Sequence, residues 1–167
     1  KGSIMDKPVR KPLVKGLERH REDRRFYAGN RAFGRFGMRI FEPVTMARPH
    51  WHGHIEANLC HNADMVYDVD GERVTIPAET VVFFWAGVPH QLNEVRCLAG
   101  EKAELCNIYL PLDSFLFMPH IARLQVALLS GAMIVVPADL CPRQLIDRWY
   151  RDYRANDAER AELIKMD

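Results

Sequence analysis

The sequence predicts a mainly β protein, a barrel of short strands followed by C-terminal α-helices. Three observations carry that expectation. Short alternating or apolar runs recur between turn-forming clusters from Arg35 to Leu110, the spacing of a barrel or sandwich. After Pro111 the pattern changes to runs of helical periodicity, which places helices at the end of the chain. The 167 residues, 48% of them hydrophobic, are enough for one domain that buries most of its apolar surface without staples.

Taken in order, Lys1 to Arg25 lack sustained periodicity and hold nine of the 23 Lys and Arg against four of the 22 Asp and Glu. This stretch reads as a loosely ordered basic arm. Arg35-Phe36-Gly37-Met38-Arg39-Ile40-Phe41 alternates in strand fashion and opens the folded body. Strands follow over His54–Leu59, Met65–Val69, Arg73–Ile76 and Thr80–Trp85, with breaks at Asn62-Ala63-Asp64, Asp70-Gly71-Glu72 and Pro77-Ala78-Glu79. Asp70-Gly71 is the strongest break, because Gly readily takes the positive φ of a tight hairpin turn. Val81-Val82-Phe83-Phe84-Trp85 is apolar at both parities, as in a strand covered on both sides. Glu104–Leu110 completes the β part.

Leu112–Met118 reads as a helix ended by Pro119, Ile121–Ser130 as a second stopped by Gly131, and Ala132–Val136 as a last strand. Pro142 fits the first position of a helix whose Leu145, Ile146, Trp149, Tyr150 and Tyr153 share one face. A further helix runs from Asp157 to the end. The expected division is an arm over 1–32, a barrel over 33–139 and a helical segment over 140–167.

A formal net charge of +1 gives no global reason to bind nucleic acid or an anionic membrane. No apolar run approaches the roughly 20 residues of a membrane span. Cys60, Cys97, Cys106 and Cys141 are widely spaced, with no C-x-x-C pair and no secretory apolar segment ahead of them. Neither a zinc ribbon nor a disulfide framework is suggested, and core thiols in a reducing cytoplasm fit best.

The chemistry concentrates in Pro49-His50-Trp51-His52-Gly53-His54-Ile55-Glu56, where three histidines and a glutamate occupy alternate positions. In a strand all four would share a face. Phe84-Trp85-Ala86-Gly87-Val88-Pro89-His90-Gln91-Leu92-Asn93 supplies another histidine after a Gly and Pro turn. A divalent transition metal (Zn, Ni, Fe or Mn) accepts such donors, and His50, His52, Glu56 and His90 would suffice to hold it. His54 has the same parity and could substitute, unless a bulge near Gly53 turns it outward. The same side chains could equally wall a metal-free polar cavity, bonded to each other or to an organic ligand. His50, His52, His54, Glu56 and His90, with Tyr67 and Trp85, would suit the apolar face and hydroxyls of a sugar, or another small polar molecule. His20, His61 and His120 have no comparable setting and read as surface or loop residues.

His50-x-His52-x3-Glu56 resembles the first cupin motif, and Ala78-Glu79 to Asn93 resembles the second, with Gly87, His90 and Asn93 at fitting places. The chain departs from that pattern with Ala78-Glu79 in place of Gly-Asp, Trp85 in place of Pro, and Asn93 one residue early. The resemblance implies a cupin fold, a double-stranded β-helix or jelly-roll barrel.

More narrowly, His50-Trp51-His52-Gly53-His54-Ile55-Glu56, Val66-Tyr67-Asp68-Val69-Asp70-Gly71, Phe84 to Gln91 and Leu110-Pro111-Leu112-Asp113-Ser114-Phe115-Leu116 resemble the N-terminal domain of AraC/XylS-type transcription regulators. That resemblance implies a bacterial, cytoplasmic, non-enzymatic module whose barrel senses a small effector, often a sugar. It implies a homodimer through the following helices, which turns the Leu145, Ile146, Trp149, Tyr150 and Tyr153 stripe from ordinary packing into a dimerisation candidate. DNA contact would belong to a C-terminal pair of helix-turn-helix motifs, for which too few residues follow the barrel here. The end at Leu163-Ile164-Lys165-Met166-Asp167 has no Gly or Pro terminator and is expected to be a cut within a longer regulator. A small metal-dependent cupin enzyme, of dioxygenase or isomerase type, is the alternative class.

Overall fold

A computed structural model of the chain describes residues 34–98, 100–155 and 157–166. The expected arm over 1–32 lies outside the described residues. Eight strands and four helices follow: β1 Gly37–Phe41, β2 His54–His61, β3 Ala63–Val69, β4 Glu72–Ile76, β5 Thr80–Trp85, β6 His90–Cys97, β7 Glu104–Pro111, α1 Leu112–Leu116, α2 Ala122–Leu129, β8 Ile134–Pro137, α3 Arg143–Arg154 and α4 Ala158–Met166. The strand expected from Arg35 begins two residues later, and the helix expected from Asp157 begins at Ala158. β6 was not foreseen, because its inward His90 and Leu92 are followed by polar residues without clean alternation.

All pairings are antiparallel, in a five-stranded sheet of order β1-β7-β2-β5-β8 and a three-stranded sheet of order β4-β3-β6. Between them lie Cys60, Val82 and Leu105 from the first sheet and Met65, Tyr67, Ile76 and Leu92 from the second. This is a jelly-roll-like β fold, and its interior is the common ground of both sheets. Asn62, at φ 62°, is the single residue between β2 and β3, where the chain passes from one sheet to the other. Asp70 and Gly71, at φ 51° and 82°, make the β3–β4 hairpin turn, the two positive values that a tight twisted hairpin needs.

The outer face of the five-stranded sheet is covered by the helices. Met38, Ala57, Leu59, Val81 and Cys106 pack with Ile146 of α3 and Ile164 of α4. Ile55 packs with Phe115 of α1 and Leu128 of α2. β2 is buried at every position: Ile55, Ala57 and Leu59 meet the helices, and Glu56, Asn58 and Cys60 face the barrel interior. Trp149, Tyr150 and Tyr153 lean on the same cluster as Ile146, so these members of the aromatic stripe contact the barrel. Leu145 is partly buried beside them. No helix among the described residues is long and apolar enough to cross a membrane.

Candidate metal centre

The histidine row is not one strand. β2 begins at His54, and His50 and His52 lie in the extended segment before it. Four backbone hydrogen bonds bring that segment against the β5–β6 connection: His50 N–H to His90 O at 3.0 Å, His90 N–H to His50 O at 2.9 Å, His52 N–H to Ala86 O at 2.8 Å and Ala86 N–H to His54 O at 3.0 Å. The pairing, rather than strand parity alone, carries His50 and His52 onto His90.

One ligand atom from each of His50, His52 and His90 lies within 4.8 Å of the others. Glu56 Oε2 is 2.9 Å from His52 Nε2 and 3.9 Å from His90 Nε2. His52, His54 and His90 are at most 1% exposed and Glu56 is 4% exposed, while His50 is half-buried and forms the open side of the group. Phe84 stands 5.1 Å from the His90 ring, and Tyr109 lies 5.5 Å from that of His52.

The floor is polar. Asn107 Nδ2 donates to Glu56 Oε1 at 3.2 Å and to Asn58 Oδ1, and Asn58 Nδ2 donates to the Tyr67 hydroxyl at 3.4 Å. Burial pushes the Tyr67 hydroxyl well above the ordinary phenol range, aided by the Glu56 charge, so it stays neutral.

Burial holds the His50 and His54 imidazoles down to about 4, helped at His50 by His90 and His52 and at His54 by His52. Burial also lowers His90, against the opposing pull of Glu56. Burial would raise Glu56, yet the close approach of His52, with His90 and Asn58 beside it, outweighs burial and holds the carboxyl at about 2. Near pH 7 these three imidazoles are therefore neutral beside a carboxylate, the protonation state a divalent metal requires.

His90 makes the fit specific. Its Nδ1 can only donate to Val88 O, 3.0 Å away, which leaves Nε2 as a lone pair. That buried atom has no hydrogen-bond partner among the described residues, and it faces Glu56. A lone pair aimed at a carboxylate, with two further imidazoles within ligand reach, fits a cation of borderline softness.

Tyr67 lies inside as expected. Trp85 does not: with Phe83, Leu110, Leu112 and Ile134 it packs on the outer face around Ile55, Phe115 and Leu128. Phe84, its neighbour and the register partner of Glu56, is the aromatic that enters the barrel. The run is apolar at both parities, so its sequence did not reveal which residue faces in. Asn58 was legible as the next even position after His54 and Glu56. Asn107 and Tyr109 were not, since they reach the site only through the nonlocal pairing of β7 with β2.

No family model matches the chain. Over 87 residues, 52% of this chain, it is 31% identical to the Melibiose operon regulatory protein of Escherichia coli (strain K12), and the same figures hold for that of Escherichia coli O6:H1 (strain CFT073). The match spans 28% of the length of these curated relatives. The motif-level resemblance to AraC/XylS-type transcription regulators is thus supported by a measured likeness to named regulators over about half of this chain.

Proposed function

We propose that this chain is the ligand-sensing domain of an AraC/XylS-type transcription regulator, with a divalent transition metal held by His50, His52, His90 and Glu56 at the mouth of a cupin barrel. The observation that carries the metal is the buried His90 Nε2 lone pair facing Glu56 beside His50 and His52. The likeness to a melibiose operon regulator supports the regulatory role. A bound metal would supply a Lewis-acidic point for the hydroxyls of a small effector, and a sugar is the class the relative's name favours. Tyr67, Asn58 and Asn107 form the polar floor beneath it.

The helical segment carrying Leu145, Ile146, Trp149, Tyr150 and Tyr153 dimerises the domain in this reading, and DNA contact falls to another part of the regulator. Effector binding shifts the output only as far as it favours one arrangement of the domain over another.

Two measurements test the proposal. Elemental analysis of protein purified without a nickel column, followed by zinc titration calorimetry, is expected to find one metal per chain. Absence of both metal and uptake removes the metal from this reading and leaves the ligand-sensing role to the sugar titrations. Calorimetry with melibiose and other small sugars is expected to show saturable binding that Glu56→Ala abolishes. The same three-histidine donor set, open at His50, favours, as a second reading, a metal-dependent cupin enzyme. Turnover of a small substrate by the metal-loaded protein, with no sugar binding, would establish that reading instead.

A further inference from the structure

We propose that His54 is a positioning residue that fixes the tautomer of His52, so that His52 presents the Nε2 lone pair, and not an N–H, toward Glu56. The consequence for metal affinity rests on the metal reading above; the tautomer does not.

The argument starts from an atom with no choice. The Arg35 carbonyl oxygen can only accept, and His54 Nε2 lies 3.0 Å from it. His54 Nε2 therefore carries a proton. A neutral imidazole has one proton to place, so His54 Nδ1 is an acceptor. His52 Nδ1 lies 3.0 Å from that atom and must donate to it. In a neutral His52 the single proton is then used, and Nε2 points a lone pair at Glu56 Oε2, 2.9 Å away. Two acceptors at that separation repel unless a cation stands with them. His90 reaches the same state by a separate route, through Nδ1–H to Val88 O.

The sequence builds the relay at Gly34. A Cβ there would fall 1.9 Å from Cε1 and Nε2 of His54, so only a residue without a side chain lets the backbone pass over the ring and bring Arg35 O onto it. His54 is thus explained as neither a fourth imidazole ligand nor an outward residue. Its two nitrogens are committed to Arg35 and His52, and its ring packs 5.6 Å from Tyr109. Residues that orient a metal-binding imidazole through its other nitrogen commonly matter to affinity by about 10- to 100-fold.

The test uses the whole chain labelled with 15N-histidine. In the metal-free wild type, the NMR spectrum at neutral pH is expected to show His52 protonated at Nδ1. Protonation at Nε2 instead overturns the proposal whatever the metal result. Zinc affinity provides the second arm. His54→Phe, which removes donor and acceptor, is expected to weaken zinc by about 10- to 100-fold, and Gly34→Ala, which drives the ring away, to share that loss. His54→Asn, whose Oδ1 lies near the place of Nδ1, is expected to recover most of it. Wild-type affinity and an unchanged His52 tautomer in folded His54→Phe overturn the positioning role while leaving the metal reading intact. If His54→Phe fails to fold, the wild-type spectrum and His54→Asn decide. If the wild type takes up no zinc, the metal reading fails and the His52 tautomer alone decides this proposal.

Discussion

Two histidine–carboxylate pairs sit at opposite ends of the strand that runs through the middle of this molecule, and they differ in almost everything except chemistry. His52 and Glu56 are 2.9 Å apart with side chains 0% and 6% exposed, whereas His61 and Glu79 are 2.6 Å apart with side chains 11% and 50% exposed. The shorter contact is the less consequential one. Glu79 stands half in water, where Coulomb attraction is screened, and its other oxygen accepts the Asn62 N–H at 3.0 Å, clamping the turn between β2 and β3. Glu56 has no such access to solvent and is surrounded by His52, His90 and Asn107. Burial and the convergence of neighbours, not separation, distinguish a candidate site from a structural clasp.

The sharpest way to break this comparison is to remove the buried carboxylate. Glu56→Ala is expected to abolish zinc uptake and to cost about 3–5 kcal/mol, the usual penalty for stripping one partner from a buried charged group. Urea unfolding with and without zinc measures both. Wild-type stability together with wild-type zinc affinity would show that the sealed pair is no more than the open one.

The sequence made part of this contrast visible. His50, His52, His54, Glu56 and His90 could be picked out because their alternation and the Gly-Pro turn are local signals, and the strands from His54 to Trp85 follow from turn residues at their ends. The division of labour inside the row was not visible. Whether His54 ligates or positions depends on Arg35 O and on the absence of a side chain at Gly34, a contact across 19 residues of sequence. Phe84 and Trp85 exchange roles relative to the expectation because a strand buried on both faces has no polar side to set its register. His61 reads as a loop residue in sequence yet ends β2 and is nearly buried, since its partner Glu79 arrives from the far side of a hairpin.

The outward face of the same strand offers the next largest effect. Ile146 is 3% exposed and packs on Met38, Ala57, Leu59 and Val81, so Ile146→Ala is expected to cost about 2–5 kcal/mol while leaving zinc affinity within a few-fold of wild type. Trp149→Ala and Tyr153→Ala are expected to weaken the proposed self-association in sedimentation experiments, since aromatic anchors commonly dominate interfaces. A wild type that stays monomeric at high concentration would assign the stripe wholly to packing against the barrel, where Trp149, Tyr150 and Tyr153 already lean.

Acid should act on the buried site in two windows. His50 and His54 are held at about 4 in the folded chain, below the ordinary 6.5. The unfolded chain therefore takes up protons first, and the stability these groups contribute is complete above pH 6.5 and lost as pH falls toward 4. Glu56 at about 2 follows the same sign in a lower window: its contribution is present above 4.5 and disappears as pH falls toward 2. Zinc should be released at the bottom of the upper window, near pH 4, where protons claim the imidazole lone pairs of the folded chain. Melting temperatures from pH 8 to pH 3, with and without zinc, check the order. A curve flat between 6.5 and 4 would contradict the buried neutral histidines.

The smallest effect belongs to the open pair. Glu79→Gln keeps an oxygen that can accept the Asn62 N–H and removes only the charge facing His61, so it is expected to cost less than about 1 kcal/mol, the range of exposed ion pairs. It should leave zinc affinity unchanged, because His61 and Glu79 lie at the far end of β2 from His54 and Glu56. Parallel urea titrations of Glu79→Gln and Glu56→Ala at low and high salt make the contrast quantitative. Salt should erase what little Glu79→Gln costs, since the charge it removes is already in solvent, and should hardly touch the cost of Glu56→Ala. Equal salt sensitivity in the two variants would mean that water reaches Glu56 as freely as Glu79, and the sealed site would lose the physical basis that sets it apart.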